Sequence, residues 1–388
     1  MKIALFSDSF LPVPNGVSIA VRGLAKELRG LGHKVYIFAP TFRGYEDTDP
    51  NVLRLPSIQP PVAYRYPLAL PVSPRIIDAF GQLGIDIVHT HTPFFTGMAA
   101  RSLAKRAGLP LVSTYHTLYE NYIHYVPFIP KVIVRSMLRY YLQYYYRKCD
   151  TLITPSQAAL DSLRAHNVTK AATIIPTAIP EAPAFDRHVQ RKALGVDDGT
   201  LMMLYVGRLA LEKNTPFLLR SLKPILDKNP NCALWLVGAG PLLDHIARLS
   251  KKLGIDRQVH IVGGMPREEV NRYYAAADLF VFPSTSETQG LVIGEAQTYG
   301  LPCVAVEGGG ASEAMRPNET GFVVPNEETL FTQAVEKLIY DEPLRKQFSA
   351  NSAKQSLIYT PQSMARRVVE VYESILSPNA NRSLIKTS

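Results

Sequence analysis

Short apolar runs alternate with stretches of helical periodicity along nearly the whole chain. The runs of the first half predict strands at Lys2–Phe6, Lys34–Phe38, Asp86–His89, Leu109–Ser113 and Thr151–Thr154. Those of the second half predict strands at Met202–Val206, Ala233–Val237, Val259–Val262, Leu279–Phe282, Pro302–Val306 and Gly321–Val323. Because most runs are apolar throughout, they are typical of parallel strands covered by helices on both faces. The predicted fold class is α/β, with two Rossmann-like domains built on parallel sheets.

The periodic pattern is interrupted between Ile179 and Thr200. This stretch has weak periodicity and contains two prolines and two glycines, so we interpret it as a linker between domains. A length of 388 residues also exceeds what one α/β core usually holds. The prediction is an N-terminal domain over residues 1–178, joined by an amphipathic C-terminal helix over 361–376, and a C-terminal domain over residues 200–360.

The composition is that of an ordinary globular protein, with 46% hydrophobic residues. No apolar run reaches the roughly 18 residues of a membrane-spanning helix, and the N-terminal run is too short for a signal peptide. The three cysteines lie far apart without metal-ligand spacing, so a reducing cytoplasm fits and no structural metal is expected. The net charge of +9 suggests an anionic partner: nucleic acid, an acidic membrane or a phosphorylated substrate.

Two cations follow the first predicted strand of the second half. Gly207 ends that strand, and Arg208 and Lys213 lie in the loop and first turn beyond it. Ligands of parallel sheets bind at the carboxyl ends of strands, and such cations neutralise and hydrogen-bond phosphate oxygens. The pair therefore predicts a diphosphate site, with an exposed basic loop as the alternative.

Glycine-rich turns follow two further strands. Gly238 and Gly240 lie between a predicted strand and a predicted helix, which suits close approach of the backbone to a nucleotide. Leu243 stands where a dinucleotide fingerprint has its third glycine. Glycines 308–310 predict a flexible loop over the pocket. A tight turn is the alternative in both places.

Glu287 and Glu295 flank seven residues after the predicted strand Leu279–Phe282. The amides of Gly290 and Leu291 are expected at the start of the next helix, where unpaired N–H groups favour phosphate and hydroxyl oxygens. Carboxylates beside them are suited to accept hydrogen bonds from sugar and ribose hydroxyls. Surface glutamates at chance spacing are the alternative, which the strand-loop-helix context weakens.

The first half contributes candidate contacts at two strand ends. Gly16 starts the helix after the first strand and offers a backbone amide to an anion. His116 follows the predicted strand Leu109–Ser113, while His89 and His91 end the neighbouring strand. A histidine in this position is placed for contact with a sugar or a phosphate, although a lone one would more often be structural.

Segment 128–148 contains five basic residues and no acidic residue. On a helix, Lys131, Arg135 and Arg139 share one face. Apolar and aromatic side chains fall roughly opposite, namely Ile133, Met137, Tyr140 and Tyr144. Such a helix fits the surface of an anionic bilayer; the alternative is a core stripe with solvated cations. Arg65 lies in a second stretch without acidic residues and is assigned to the same surface.

Together these motifs resemble the retaining GT-B glycosyltransferases that carry a Glu-x7-Glu motif. The resemblance covers nearly the whole chain and includes Asn15-Gly16-Val17, His116, Gly207-Arg208 with Glu212-Lys213, Gly238-x-Gly240-Pro241, Glu287 to Glu295, and Gly300-Leu301-Pro302. It implies two domains facing a central cleft, the N-terminal one for the acceptor and the C-terminal one for the donor. It also implies an enzyme without metal or cofactor that moves a sugar from a nucleotide with retention. Asp47-Thr48-Asp49 looks like a metal motif of another transferase class, but it lies in a loop flanked by glycine and proline.

The resemblance implies a role for each matched residue. Arg208 and Lys213 would hold the diphosphate, with help from the Gly16 amide. Glu287, with the amides of Gly290 and Leu291, would orient the sugar. The remaining contacts would be Glu295 at the ribose hydroxyls, His116 at the sugar near the reacting centre, and the segment from Val262 to Met265 beside the base. No compelling carboxylate nucleophile is present, so the resemblance implies a front-side reaction in which the leaving phosphate helps to deprotonate the acceptor.

Within that family, the chain is most similar to the bacterial 1,2-diacylglycerol 3-α-glucosyltransferases. The residues that carry this likeness are His89–Phe94, Thr114–Tyr122 with Tyr119 as a predicted acceptor contact, His124-Tyr125 and Ser284–Gly290. The likeness implies UDP-glucose, a membrane lipid acceptor, and peripheral attachment to the cytoplasmic face of the cell membrane. Alternatives are mannosyl transfer to phosphatidylinositol, sulfoquinovosyl transfer, a soluble acceptor or a nucleotide-sugar epimerase. Nucleic-acid binding is suggested by charge alone and leaves the anion-site motifs unexplained. No oligomeric state is specified.

Overall fold

The computed structural model describes residues 1–13, 15–59, 67–70, 72–125, 129–358 and 360–377. The chain divides into two compact units. The N-terminal unit consists of Met1–Ala178 and the segment from Pro361 onward, and the C-terminal unit consists of Ile179–Thr360.

The N-terminal unit is built on a parallel sheet. Its strands are β1 Lys2–Phe6, β2 Lys34–Pro40, β3 Val52–Leu55, β4 Ser57–Ile58, β5 Leu68–Ala69, β6 Ile87–Thr90, β7 Leu111–Thr114, β8 Thr151–Thr154 and β9 Ala172–Ile174. Its helices are α1 Gly16–Gly30, α2 Pro74–Leu83, α3 Phe95–Ala107, α4 Lys131–Tyr146, α5 Gln157–Ala165 and, at the end of the chain, α13 Pro361–Leu376. The parallel strands follow the order β3-β2-β1-β6-β7-β8-β9, and β4 and β5 form a separate antiparallel pair.

Alternation of side chains along β1 gives this sheet a core on each face. Ile3 and Leu5 pack with α1 and with Tyr372 of the C-terminal helix. Ala4 and Phe6 point to the opposite core, which also contains residues of α3 and α4. The last helix of the chain therefore packs on the sheet of the N-terminal unit. It reaches the strands that carry the histidines predicted as site residues.

The C-terminal unit repeats the same architecture. Its strands are β10 Leu201–Val206, β11 Cys232–Val237, β12 Val259–Gly263, β13 Leu279–Phe282, β14 Cys303–Val306 and β15 Gly321–Val324. Its helices are α6 Arg187–Ala193, α7 Thr215–Lys228, α8 Leu243–Leu253, α9 Arg267–Ala276, α10 Leu291–Thr298, α11 Glu328–Tyr340 and α12 Glu342–Ser356. The parallel order is β12-β11-β10-β13-β14-β15, so the neighbours β10 and β13 flank the point at which the strand order reverses. Ligands of such sheets bind there, beyond the carboxyl ends of the strands.

All the predicted strands are present, with ends that differ by at most two residues. Strands β3 and β9 went unpredicted because they are short edge strands with half-exposed side chains, which weakens the apolar signal.

The linker prediction for residues 179–200 is wrong, because this stretch belongs to the C-terminal unit and contains α6. Arg191 is the buried residue of α6 and donates to Asp278 at 3.1 Å and to the Ala276 carbonyl at 3.0 Å. A helix anchored by an arginine has no apolar periodicity to reveal it.

Over the described ranges, no helix is both long enough and apolar enough to cross a bilayer.

Candidate functional site

Two adjoining loops of the C-terminal unit carry the predicted diphosphate cations. β10 pairs with β13, so the loops after these strands lie side by side. Arg208 directly follows the loop glycine after β10, and its guanidinium lies 3.7 Å from the carboxylate of Glu212. The ammonium of Lys213 forms an ion pair with Glu287, in the loop after β13. The structure therefore brings Lys213 and Glu287 into direct contact.

The Lys213–Glu287 pair is largely shielded from water, with side-chain exposures of 16% and 15%. Ser284 Oγ donates a further hydrogen bond to Glu287 Oε1 at 2.8 Å. Ser286 Oγ donates to the carbonyl of Glu212 at 2.9 Å and ties the two loops together. Because a shielded charge without its partner is strongly unfavourable, these contacts fix both members of the pair. Arg208 is the more exposed of the two cations, at 49%.

Gly238 and Gly240 serve the packing of this site. A Cβ on Gly238 would lie 1.9 Å from the carbonyl oxygen of Gly207, and one on Gly240 would lie 2.2 Å from that of Leu209. The Gly207 amide in turn donates to the carbonyl of Val237 at 3.0 Å. The glycines thus let the loop after β11 press against the loop that carries Arg208. Their predicted approach to a nucleotide stays a prediction.

The glycine triplet 308–310, predicted as a loop over the pocket, leads into a short helical segment in the structure. Gly309 and Gly310 begin a 3₁₀ segment that ends at Ala314 and packs against the loop after β13. The Gly310 amide donates to the carbonyl of Glu287 at 2.5 Å. A Cβ there would lie 2.1 Å from the Thr288 carbonyl oxygen, so only glycine permits this close contact. The triplet supports the backbone beneath Glu287.

Helix α10 begins where the sequence predicts. Gly290 precedes it with φ of 74°, a left-handed conformation that favours glycine. Leu291 is the first helical residue, so its amide has no intrahelical acceptor. This helix start lies four residues after Glu287.

Glu295, inside α10, is engaged by two partners that the sequence did not reveal. Its Oε1 receives a hydrogen bond from Arg267 at 2.5 Å, and its Oε2 receives one from the Tyr274 hydroxyl at 3.1 Å. Burial, together with the nearby Glu295 charge, raises the pKa of Tyr274 well above its usual value, so this hydroxyl is a donor. Val262 and Met265, at the end of β12, lie half-buried against the core.

Three histidines form a stack at the carboxyl edge of the N-terminal sheet. His91 Nδ1 lies 2.8 Å from His116 Nε2, and the ring centroids of His89 and His91 are 4.3 Å apart. Burial lowers the pKa of His116 to about 4. Burial and the His116 charge lower the pKa of His89 to about 3, and burial holds the pKa of His91 well below its usual value. All three rings are therefore neutral near pH 7.

Asp8 occupies the same edge, directly after β1. Its Oδ1 accepts from the Thr96 amide at 2.8 Å, and its own amide donates to Thr92 Oγ1 at 2.9 Å. Asp8 thus caps α3, whose own N-cap residue makes no side-chain cap. Burial raises the pKa of Asp8. Gly16 is the first residue of α1 as predicted, after the Asn15 cap that accepts from the Ser18 amide.

The predicted membrane helix is α4, and its apolar stripe is not core. Met137 is 61% exposed and Tyr140 is 74% exposed, and the other members of the stripe are also exposed. Lys131, Arg135 and Arg139 are exposed as well. Helix α4 attaches to the unit through other side chains, including Leu142, Tyr145 and Tyr146. Both outward faces are therefore available for contact.

Tyr119, the predicted acceptor contact, lies in the 3₁₀ segment Tyr119–Tyr125. Its ring packs edge-on against Phe94 at 5.1 Å and against Tyr115 at 5.7 Å. Burial raises its pKa well above the usual value. Arg65 lies outside the described residues.

The carboxylates of the metal look-alike already have cationic partners. Asp47 accepts from Arg54 at 2.7 Å, and Asp49 accepts from Arg29 at 2.6 Å. The guanidinium of Arg54 is thus engaged by the Asp47 carboxylate. Across the described part of the chain, no group of three His, Cys, Asp or Glu side chains is arranged to hold a metal ion.

Comparison with known families agrees with this architecture. Residues 186–355 match the model described as glycosyl transferases group 1, and residues 14–182 match glycosyltransferase family 4. The chain therefore belongs to the group 1 glycosyltransferases of the GT-B fold.

Individual relatives cover most or all of the chain. It is 30% identical to the alpha-monoglucosyldiacylglycerol synthase of Streptococcus pneumoniae, over 100% of this chain and 89% of that protein. It is 27% identical to a sulfoquinovosyl transferase of Arabidopsis thaliana, over 89% of this chain and 68% of that protein. The crystal structure of Anabaena HepE in complex with UDP superposes with a TM-score of 0.76 at 20% identity, over 96% of this chain and all of that one.

The sequence did not reveal several partners of the predicted site residues. Ser284 and Arg267 lie near strand or helix ends, and only the structure shows which carboxylate each one contacts. His91 was noticed as a strand-end histidine, but its contact with His116 depends on the pairing of β6 with β7. The available signal was position alone, because polar groups beyond adjacent parallel strands converge on one edge.

Proposed function

We propose that this glycosyltransferase moves glucose from UDP-glucose to 1,2-diacylglycerol at the cytoplasmic face of the membrane, with retention at the anomeric carbon. The Lys213–Glu287 contact is the observation that supports the donor half. The exposed basic and apolar faces of α4 support the lipid half. The name of the pneumococcal relative supports the choice of sugar and acceptor.

In this proposal, binding of the donor breaks the Lys213–Glu287 ion pair and gives each of the two side chains a new partner on the donor. A diphosphate carries more negative charge than one carboxylate, so Lys213 turns from Glu287 to the phosphates, where Arg208 joins it. Glu287, released beside the start of α10, accepts hydrogen bonds from sugar hydroxyls, and the amides of Gly290 and Leu291 donate to sugar oxygens. Binding and orientation of the donor thus use one set of groups.

Glu295 makes a similar exchange at the nucleoside. Its carboxylate leaves Arg267 and accepts hydrogen bonds from the ribose hydroxyls, while Tyr274 keeps it oriented. The base lies beside Val262 and Met265. The contact of the Gly16 amide with the diphosphate stays a prediction.

The two cations also serve the chemistry. Breaking the bond from sugar to diphosphate develops negative charge on the leaving phosphate, and preorganised cations stabilise that charge without a metal or cofactor. His116 contacts the sugar near the reacting centre. The acceptor hydroxyl attacks from the face that the diphosphate leaves, and the departing phosphate takes its proton.

Substrate specificity is tested with purified protein and radiolabelled UDP-glucose, UDP-galactose and GDP-mannose. Each donor is offered with and without diacylglycerol in mixed micelles containing anionic lipid. We expect label in the lipid phase only when UDP-glucose and diacylglycerol are both present. Transfer from GDP-mannose instead, or lipid-independent conversion of the donor, would replace this proposal by mannosyl transfer or by epimerisation. A sulfoquinovose donor is a further arm because of the Arabidopsis relative.

Membrane attachment is tested by replacing Lys131, Arg135 and Arg139 together with alanine. Each cation near an anionic surface contributes about 1 kcal/mol, so partition onto phosphatidylglycerol vesicles should weaken about 10²-fold. Cosedimentation measures the partition. Transfer to a short-chain, water-soluble diacylglycerol should be retained, because α4 belongs to the N-terminal unit and the donor loops belong to the C-terminal unit.

The matched control removes three exposed lysines from the C-terminal unit, Lys251, Lys252 and Lys354. This variant has the same net charge, and its partition should stay within about twofold of the parent protein because its cations are not on α4. Equal loss in both variants would mean that the overall charge, and not α4, attracts the protein to the vesicle.

A further inference from the structure

The ring of His91 is packed between two other rings, but only one of its two nitrogens has a hydrogen-bond partner among the described residues. Its side chain is 2% exposed, and its ring lies between those of His89 and His116, with centroids at 4.3 and 5.1 Å. Nδ1 contacts His116 Nε2 at 2.8 Å. Within the described part of the chain, Nε2 has no hydrogen-bond partner. His89 differs, because its two nitrogens contact Thr114 Oγ1 at 2.7 Å and Tyr372 OH at 2.6 Å.

The contact between His91 and His116 holds a single proton. Both rings are neutral near pH 7, because burial lowers both pKa values. Either His91 Nδ1–H donates to His116, or His116 Nε2–H donates to His91. The second arrangement leaves an N–H on the buried Nε2 of His91, and the first leaves a lone pair there. A buried N–H without an acceptor is the rarer and less favourable of the two.

We propose that His91 is a positioning residue that fixes His116 in the tautomer with its proton on Nδ1. His116 then presents an N–H, and not a lone pair, to an oxygen of the transferred sugar. This assignment rests on the proposed sugar transfer for its purpose, but its geometry comes from the histidine stack alone. Enclosure between two rings holds the His91 imidazole in the orientation that the hydrogen bond requires.

The first test is spectroscopic and needs no turnover. Long-range ¹H–¹⁵N spectra of the full chain with labelled histidine distinguish protonated from bare ring nitrogens, and His116→Asn assigns the His116 signals. We expect a protonated Nδ1 and a bare Nε2 on His116. The opposite pattern would overturn the proposal even if the protein transfers glucose. The expected pattern would stand even if the sugar or acceptor proved different.

The second test exchanges the donor on His91 for an acceptor. His91→Asn keeps an N–H near the position of Nδ1, whereas His91→Asp offers only oxygen and forces His116 to donate through Nε2. Turnover should stay within about tenfold of the parent in the first variant and fall on the order of 10²-fold in the second, as when one preorganised donor is lost. Binding of UDP, which lacks the transferred sugar that would contact His116, should be unchanged and also reports that each variant is folded.

His89→Gln is the matched control. His89 is equally buried in the same stack, but both its nitrogens are satisfied by other elements. This variant should lose stability and keep the His116 tautomer. Equal turnover of the Asn and Asp variants, or a change of the His116 tautomer in His89→Gln, would contradict a specific role for His91.

Discussion

Replacing Lys213 by alanine should lower the turnover of sugar transfer on the order of 10²-fold, the usual cost of one preorganised electrostatic contact. The ammonium lies in the loop after β10, where the proposal needs positive charge for the leaving diphosphate. Arg208→Ala should have an effect of similar size. Steady-state kinetics measure the turnover of each variant, and calorimetry measures its binding of UDP. Near-normal turnover in both variants would remove the assignment of these cations to the leaving group.

A double variant separates chemistry from stability. Lys213→Ala alone leaves Glu287 shielded without its cation, which should destabilise the C-terminal unit on the order of 3 kcal/mol. Lys213→Ala with Glu287→Gln removes both charges and should recover most of that stability without recovering turnover. Recovery of turnover would mean that Lys213 serves only to neutralise Glu287. Lys223→Ala is the control, because Lys223 forms an exposed pair with Asp227 on α7.

Gly310→Ala should nearly abolish transfer, although residue 310 itself carries no chemistry. The added Cβ would lie 2.1 Å from the Thr288 carbonyl oxygen and 2.6 Å from the Gln289 Cα, so the backbone between Glu287 and Gly290 must move. A displacement of about 1 Å in a positioning group costs on the order of 10²-fold in rate. Overpacking should also cost about 1–3 kcal/mol of stability. Turnover and thermal unfolding together measure both effects.

Gly199→Ala is the control for that substitution. Gly199 lies in the same unit, and a Cβ there meets nothing within 4 Å. Its turnover and unfolding temperature should match those of the parent protein. If Gly310→Ala also behaved like the parent, the 3₁₀ segment would not be the support of the Glu287 loop.

Much of the fold could be predicted because buried parallel strands have continuous apolar runs. The segments Lys2–Phe6, Thr151–Thr154 and Leu279–Phe282 have the same bounds in the sequence prediction and in the structure. The start of α10 at Leu291 was also predictable, because Gly290 follows a strand and loop and precedes a helical pattern. These features depend on residues close together in the chain.

Contacts between distant residues could not be predicted in the same way. The glycines of 308–310 indicate freedom when considered alone, yet the structure uses their small size to approach residues 287–289. Gly238 is required by the carbonyl of Gly207, which lies in the loop after the neighbouring strand β10. Single-sequence patterns report local conformation, whereas these glycines are required by non-local packing.

The sequence predicted exposure of the α4 stripe only as one of two alternatives. A periodic apolar face predicts burial but does not identify what buries it, and here Leu142, Tyr145 and Tyr146 make the contact with the unit while Met137 and Tyr140 remain outside. The choice between core and outward surface required the packing of the neighbouring elements.

The most direct test of the central claim is the anomeric configuration of the lipid product. Purified protein is supplied with UDP-glucose and diacylglycerol, and the glycolipid is analysed by proton NMR, in which the coupling of the anomeric proton distinguishes the two configurations. We expect one product, an α-glucoside of diacylglycerol, formed without added metal and on the order of 10²-fold more slowly by Lys213→Ala. A β-glucoside, or an absence of glycolipid while UDP-glucose is consumed, would contradict retaining transfer to this acceptor.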